Sequence, residues 1–436
     1  MFKKLYGRAG EPAPPPPVEE EHDADELDAA AVPDDDEHDV DGSWRARAET
    51  VIPGGASTGS KRSAALFGDD GDGPTHFARA GGCRLTTPGG RTFIDCSMSL
   101  GAVALGYADE AVTRAVAAAL VNGSVSGLSS TLEVEVAERL CDVIPCAEQV
   151  RFLKTGAEGV AAAVRIARTV TGRTHVVGSG YFGWLDWSSD AAGVPGSVRR
   201  DFTSVPFDDV NALERACSEA GSHLAALVIE PVVERLPSEE WIAAARRICD
   251  ERGAVLVFDE MKTGFRLRPG GYQAYAEVAP DLAVFGKAMA NGLPLAAVVG
   301  SAAVMEAATR TWISSTLAGE GSALAAAAAV LDWHERAEVC EYLWTAGEEM
   351  QGGVRRAAEA AGVQGVDVLG IAPMWLVRFE EPAVETRFLE LARERGVLFK
   401  RGAYNYVSLA HTEDDIAEIE AAASEAFVQV VEERGE

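Results

Sequence analysis

From Ser43 onward, the chain alternates short apolar runs with longer amphipathic segments. Runs of four to six mainly apolar residues are typical of buried β-strands. They are VRFL (150–153), HVVG (175–178), AALVIE (225–230), AVLVFD (254–259) and LAVFG (282–286). Helical periodicity lies between them, in 157–170 and in 241–253, where Gly253 is the predicted C-cap. Strands that alternate with helices at this spacing predict βαβ units and a mostly parallel sheet.

The pattern changes after about residue 320. Residues 323–337 and 414–433 are each typical of a long helix. Between these two helices we predict a pair of strands near 374–379 and 397–409. We interpret this part of the chain as a separate, smaller α+β unit.

Residues 1–42 differ from the rest of the chain in composition. They hold fourteen acidic residues against Lys3, Lys4 and Arg8, which gives −11 of the total net charge of −29. A Pro-rich, acidic segment with almost no large apolar residues is predicted to be disordered. Its first ten residues mix apolar and basic side chains. They are either a frayed terminus or a short peptide that docks on a partner protein.

The composition excludes several classes of protein. No run of 18 apolar residues is present and the first residues lack an apolar stretch, so we expect neither a membrane partner nor a secretory signal. The seven cysteines form no C-x-x-C pattern, which favours a reducing, cytoplasmic location over a disulfide framework or a metal site. The strongly negative net charge argues against nucleic acid as a partner.

Ligands bind beyond the carboxyl ends of parallel strands, so residues that follow the predicted strands are candidates for chemistry. Gly156 and Gly159 lie in a turn before a helix, whose N–H groups and dipole suit a phosphate. An ordinary βα turn is the alternative. Tyr181, close to two glycines, could stack on a flat heteroaromatic ring or lie in an ordinary surface loop.

Glu230 and Asp259 end two apolar runs, where a carboxylate is costly to bury without a partner. A protonated ring nitrogen would be such a partner, whereas a solvated acid or a helix cap is the alternative. Lys287 directly follows another run, in a chain with seven lysines and 32 arginines. An amine can lose its proton and form an imine, which a guanidinium cannot do. A solvated loop lysine is the alternative here.

Pyridoxal 5′-phosphate is one cofactor that needs all these groups together. The helix start would hold its phosphate, Tyr181 would stack on its ring, and Lys287 would form an imine with its aldehyde. An acid such as Asp259 would keep the ring nitrogen protonated, so that the ring can accept electrons from a substrate α-carbon.

Seven segments of the sequence are similar to those of a known family. They are IPGGAS (52–57), GRTFIDCSMSLGAVALGY (90–107), VRFLKTGAEGVAAAVRIARTVTGR (150–173), LVIEPV (227–232), LVFDEMKTGFR (256–266), PDLAVFGKAMANGLP (280–294) and SLAHTEDDI (408–416). With these, the chain from about Ser43 to Phe427 resembles class III, fold-type I aminotransferases that depend on pyridoxal phosphate. The resemblance is to the branch of glutamate-1-semialdehyde aminomutase.

The resemblance implies an α/β fold with two domains. The large domain is expected to hold a mostly parallel sheet of seven strands, and the smaller α+β domain to form from the N- and C-terminal segments. The expected divisions are a disordered acidic tail (1–42), an N-terminal segment of the small domain (43–95), a cofactor-binding large domain (96–322) and a C-terminal small domain (323–436).

The resemblance also implies roles for individual residues. Lys287 would be the Schiff-base lysine that moves a proton, and Asp259 would pair with the pyridine nitrogen. The other expected cofactor contacts are Gly156 and Ala157 to the phosphate, Tyr181 and Met261 to the two ring faces, Glu230 near the hydroxyl and Thr316 to the phosphate from the partner subunit. The expected partners are an amino donor, a carbonyl acceptor and a second copy of the chain in a homodimer.

The predicted reaction is amino-group transfer between a donor and a carbonyl acceptor. The alternatives are a 2,1-aminomutase-like isomerase, an amino-acid racemase or epimerase, and a catalytically silent scaffold. Candidate substrate contacts are Arg62 and Glu320. By strict count, the family's substrate arginine falls at Lys61, one position before Arg62. Glu320 follows Gly319, at the position where the aminomutase has the asparagine of a Gly-Asn pair.

Overall fold

The computed structural model describes residues 39–68 and 72–435. The strands in them are β1 (Arg79–Gly81), β2 (Arg84–Thr86), β3 (Thr92–Asp95), β4 (Gln149–Leu153), β5 (His175–Ser179), β6 (Phe202–Ser204), β7 (Leu224–Ile229), β8 (Val255–Asp259), β9 (Leu282–Phe285), β10 (Ala296–Gly300), β11 (Val366–Ile371), β12 (Met374–Phe379), β13 (Val397–Leu398) and β14 (Asn405–Tyr406).

The α-helices of the described residues lie between and after these strands. They are α1 (Val40–Val51), α2 (Ser63–Phe67), α3 (Met98–Gly101), α4 (Glu110–Val121), α5 (Thr131–Val143), α6 (Gly156–Thr171), α7 (Gly196–Arg199), α8 (Val210–Ala220), α9 (Glu239–Arg252), α10 (Gly271–Ala276), α11 (Ala302–Met305), α12 (Gly321–Arg336), α13 (Val339–Ala361), α14 (Pro382–Glu394) and α15 (Glu413–Arg434).

The large sheet has seven strands in the order β4-β10-β9-β8-β7-β5-β6. All its strand pairs are parallel except the two that β10 makes with β4 and β9. The five predicted strands, the predicted helices α6 and α9, and the C-cap at Gly253 are all present. The prediction of an α/β fold with a mostly parallel seven-stranded sheet is therefore confirmed.

Both faces of this sheet are covered. Along β7 and β8, Val228 and Val257 belong to a core shared with α6, while Leu227 and Phe258 belong to the core on the opposite side, shared with α8, α9 and α12. Because successive side chains of a strand point to opposite faces, these strands need apolar residues at every position. That requirement explains the continuous apolar runs of the sequence.

Two small sheets complete the described fold. One has the order β1-β2-β3-β13, in which Ile94 of β3 pairs with Val397 of β13, so distant parts of the chain share a sheet. The other has the order β11-β12-β14. The sequence predicts that strands near 374–379 and 397–409 pair with each other. Only Met374 and Trp375 do so, with Tyr406 and Asn405 of β14. The other strand of the second segment, β13, pairs with β3 in the first small sheet instead.

Helix α1 begins at Val40, two residues before the predicted end of the tail at residue 42. Asp41 lies in its first turn, where a carboxylate is favourable beside the helix dipole. Its Oδ1 also accepts the N–H of Gly89 at 2.9 Å, which fixes the start of the helix. The other predictions about the tail, including the docking peptide, fall on residues 1–38, outside the described residues.

The described residues also bear on the classes of protein considered above. The seven cysteines are free thiols, and six of them are buried. Burial raises the pKa of the Cys146 thiol to about 12, so this thiol stays protonated at neutral pH. In the described ranges, no helix has both the length and the apolarity needed to cross a bilayer.

Candidate active site

The start of α6 offers backbone N–H groups at the carboxyl edge of the large sheet. Thr155 and Glu158 form a capping box, in which Thr155 Oγ1 accepts the Glu158 N–H at 3.2 Å. The next N–H, that of Gly159, donates to the Thr155 carbonyl. No described residue takes the N–H groups of Gly156 and Ala157. Together with the helix dipole, they suit a bound phosphate.

The loop after β5 lies against this helix start. A Cβ built on Gly183 would be 2.4 Å from the Cβ of Ala157, and Gly183 has a φ of +90°. A Cβ on Gly180 would be 2.7 Å from Glu230 Cγ, with a φ of +135°. Both positions therefore need glycine. The two glycines place the exposed Tyr181 between the helix start and Glu230.

We expect Gly183→Ala to weaken binding of pyridoxal phosphate about tenfold. The methyl group would push the Tyr181 loop away from α6. A free-energy cost of about 1–3 kcal/mol for the backbone strain and this displacement corresponds to a loss of affinity of roughly tenfold or more. Equilibrium dialysis of the apoprotein measures this. Gly193→Ala is the matched control, because Gly193 has a φ of +92° but no atom within 4 Å of its added Cβ. An equal loss in both variants would contradict the contact argument.

Glu230 follows β7 and has two fixed partners. Its Oε2 accepts the Tyr181 N–H at 2.9 Å, and its Oε1 lies 2.9 Å from Lys262 Nζ. Burial disfavours the charge on Lys262, but the attraction of Glu230 outweighs it, so the pKa of Lys262 is raised. Sequence analysis missed Lys262. The signal was present, since lysine is rare in this chain and Lys262 lies in one of the quoted family segments.

Asp259 ends β8 and is 4% exposed. Its Oδ1 accepts the Met261 N–H at 3.0 Å. Burial and the nearby charge of Glu230 raise the pKa of Asp259 to about 7, against the Met261 hydrogen bond and the charge of Lys287. A further cation beside this carboxylate would favour its ionised form. The geometry fits a protonated ring nitrogen as that cation.

Lys287 has an uncommon backbone conformation. It begins a short 3₁₀ turn after β9 with a φ of +48°, which costs a residue other than glycine about 1–3 kcal/mol. Asn291 ends the turn, and its Oδ1 accepts the N–H groups of Ala104 and Leu105, each at 3.0 Å. These bonds fix the turn to the loop after α3 and so compensate the strain.

The surroundings of Lys287 favour its neutral amine. Burial lowers the pKa of Lys287 to about 8, and the positive charge of Lys262 acts in the same direction. The carboxylates of Asp259 and Glu230 oppose this shift. A primary amine with a lowered pKa is available as a nucleophile and as a base near neutral pH.

Met261 packs between two glycines of the site. A Cβ on Gly156 would lie 2.9 Å from Met261 Cε, and a Cβ on Gly286 would lie 2.6 Å from the same atom. The thioether therefore lies beside both the helix start and the residue before Lys287. Its predicted contact with a cofactor ring stays a prediction.

Arg266 is a second buried cation that sequence analysis missed. Its guanidinium donates to the carbonyl oxygens of Pro373 at 3.2 Å, Val407 at 2.9 Å and Gly101 at 3.1 Å, and it lies 4.8 Å from the ring centroid of Tyr406. Burial lowers the pKa of Arg266 to about 10. The residue ties three distant segments together, which a local sequence pattern cannot indicate.

Thr316 and Arg62 are both exposed. Thr316 lies with residues 122–130 along a cavity of about 560 Å³. Arg62 Nε is 3.5 Å from the Ala56 carbonyl oxygen. The contact of Thr316 with a partner's phosphate and that of Arg62 with substrate stay predictions.

Glu320 acts as the N-cap of α12. Its oxygens accept the N–H groups of Ser322 at 2.8 Å and Ala323 at 3.0 Å, and Oε1 lies 2.8 Å from Lys154 Nζ. Burial alone would raise its pKa, but the bonds from Lys154 and Ser322 lower the pKa of Glu320 to about 2. These contacts are structural, and the predicted contact with substrate stays a prediction.

Comparison with known proteins identifies the family. The sequence profile of aminotransferase class-III matches residues 68–419. The chain belongs to the class III aminotransferases. Two curated relatives are glutamate-1-semialdehyde 2,1-aminomutases, from Desulfatibacillum aliphaticivorans (32% identical, covering 85% of this chain and 95% of the relative) and from Sorangium cellulosum strain So ce56 (33% identical, 87% and 94%).

Solved structures agree with this assignment to the class III aminotransferases. The FumI protein of Sphingopyxis sp. MTA144, solved with an internal aldimine of pyridoxal phosphate, superposes with a TM-score of 0.86. It is 27% identical in sequence, and the match covers 91% of this chain and 97% of that one. This class III enzyme depends on pyridoxal phosphate.

The site of this class III aminotransferase fits the cofactor on its own geometry. The N–H groups at the start of α6 suit a phosphate, and the carboxylate of Asp259 suits a ring nitrogen. Lys287 would supply an amine for the aldehyde, and Tyr181, in the loop that lies against the start of α6, would cover a ring. The groups follow β4, β8 and β9 at one edge of the sheet, and Met261 packs beside both the start of α6 and the residue before Lys287, so one planar ligand can meet them.

Proposed function

We propose that this class III enzyme transfers an amino group from an amino donor to a carbonyl acceptor. The observation that supports this most is the convergence of Lys287, Asp259 and the N–H groups of Gly156 and Ala157 at one edge of the sheet. Bound pyridoxal phosphate would supply an aldehyde for the amino group and a ring that accepts electrons from the α-carbon.

Different residues of the chain would transfer protons and hold the cofactor ring. Lys287 Nζ would remove the proton from the donor α-carbon, hold it on its amine and release it again, and would repeat both transfers in reverse with the acceptor. Its pKa of about 8 leaves a useful fraction of free amine near neutral pH. Asp259 holds the ring nitrogen protonated, while Tyr181 and Met261 keep the ring in one orientation.

A 2,1-aminomutase reaction is the second candidate, because the curated relatives reported above are named for it. It would use the same residues, with donor and acceptor carbons in a single molecule. At about 30% identity, the name alone does not decide between the two reactions. Glu320, at a position where the aminomutase has asparagine, caps α12 and pairs with Lys154, and these contacts do not separate the two reactions.

A screen of amino donors tests the proposal. The holoenzyme is mixed with single amino acids and amines, and chromatography measures the conversion of pyridoxal phosphate to pyridoxamine phosphate. For a transaminase, we expect stoichiometric conversion with a donor and turnover only after a keto acid or aldehyde is added. Steady turnover of glutamate-1-semialdehyde alone would favour the aminomutase. Failure of every donor to react would contradict the proposal.

We also propose that the active unit is a homodimer. The exposed Leu128 lines the cavity beside Thr316, and the exposed Leu317 is the next residue of the chain, so a second copy of the chain could cover both. Thr316 would then reach the partner's phosphate. Sedimentation should give about twice the chain mass of 46.0 kDa, and a monomer at micromolar concentration would contradict this.

A further inference from the structure

Lys262 is a buried cation to which the proposed reaction gives no role. It lies three residues beyond the end of β8, and its side chain is 13% exposed. Its Nζ is 2.9 Å from Glu230 Oε1 and 4.8 Å from the ring centroid of Tyr404. Glu230 is equally enclosed, with 8% of its side chain exposed. The two charges therefore interact away from bulk water, where such pairs are strong.

The charges around this ion pair include both groups on which the reaction depends. Asp259 comes from β8, Lys287 from the turn after β9, and the phenols Tyr404 and Tyr406 from the segment at β14. The groups whose charges act on Lys262 or on the residues beside it are Glu230, Asp259, Arg266, Lys287, Tyr404 and Tyr406. The charges of Lys262 and Glu230 therefore shift the pKa values of Asp259 and Lys287, although neither side chain takes over the role of those two residues.

We propose that Lys262 is a positioning residue that offsets the charge of Glu230 and so favours the ionised form of Asp259 and the neutral amine of Lys287. The inference rests on the proposed function, because it concerns the two groups that would hold the cofactor. It adds a role for a residue that makes no contact of its own with the reacting atoms.

The direction of each effect follows from the signs of the charges. Without Lys262, the Glu230 carboxylate would be buried beside Asp259 with no cation of its own. Two like charges in one site raise the pKa of a carboxyl group, so Asp259 would be protonated more readily. Lys287 would lose a repulsive cation, so the pKa of its amine would rise.

The test measures the pKa of Lys287 directly in the full-length apoprotein. Trace acetylation with acetic anhydride at a series of pH values, followed by mass spectrometry of the peptide that contains Lys287, gives the pH at half-maximal reactivity. Lys262→Met should raise this midpoint by about one pH unit. Lys262→Arg, which keeps the charge, should leave it unchanged. The double variant Lys262→Met with Glu230→Gln should return it towards the wild-type value.

Each result decides the inference. An unchanged midpoint in Lys262→Met overturns it, and so does a double variant that stays shifted, because Lys262 would then act through packing alone. Thermal melts confirm that the variants are folded, and Lys262→Gln, which also removes the charge, covers the case in which methionine is not tolerated. Attachment of pyridoxal phosphate to wild-type Lys287 is assayed separately, by borohydride reduction. Its absence overturns the proposed function, whatever the midpoints show.

Discussion

Lys287→Ala should abolish covalent attachment of pyridoxal phosphate and slow the amino-transfer half-reaction by about 10²–10⁴-fold, the usual contribution of a positioned acid–base group. Lys262, the other lysine of the site, is held as a cation by Glu230 and cannot replace the lost amine. Borohydride reduction of the wild-type holoenzyme should leave the pyridoxyl group on the Lys287 peptide. In the variant, no lysine should carry it.

The matched control for this experiment is Arg356→Ala, which removes an exposed cation of α13. It should keep both the label and the rate. The sign of the pH dependence is also fixed, since only the neutral amine attacks an aldehyde. Because the pKa of Lys287 is about 8, attachment should become faster as the pH rises through that value. A label on another lysine of the wild-type enzyme would refute the assignment.

Asp259→Asn should retain the cofactor on Lys287 but slow the half-reaction by roughly 10²–10⁴-fold. The amide keeps the size of the side chain and can still accept the Met261 N–H, but it carries no charge for the ring nitrogen. Loss of one partner from a buried charge pair costs about 3–5 kcal/mol, which converts to that range of rates. Rapid-mixing absorbance with excess donor measures the rate in both proteins.

The neighbouring residue provides a matched control. Glu260 is also a buried carboxylate, and its oxygens accept the N–H groups of Tyr272 at 2.8 Å and Gln273 at 3.1 Å and the hydroxyl of Thr263. Glu260→Gln should therefore lower stability while the folded enzyme keeps its rate to within a few-fold. Equal slowing by both variants would contradict a specific role for Asp259.

The candidate site was largely predictable because it lies where apolar runs end. Lys287, Asp259 and Glu230 were found in this way, since each follows a strand that must be apolar on both faces. Strand β10 was missed because it is antiparallel to its neighbours, and so no crossover helix separates it from β9 as in a βαβ unit. The start of α1 was missed because its stabilising contact, with Gly89, is far away in the sequence.

Other parts of the site depend on tertiary structure alone. The ion pair of Lys262 and Glu230 joins residues from two different strand ends, and no local periodicity indicates that the side chains meet. In the sequence, Arg266 resembles a charged residue of an exposed loop. Only the structure shows that its guanidinium donates to three carbonyl oxygens. The positive φ of Lys287 cannot be recognised from residue type, because lysine rarely adopts it.

The pairing of Ile94 with Val397 has a consequence for biosynthesis. During translation, β1, β2 and β3 leave the ribosome some three hundred residues before the strand that completes their sheet. All strands of the large sheet emerge in between and can fold first. Until β13 is synthesised, β3 has an unpaired edge, to which chaperones can bind on the nascent chain.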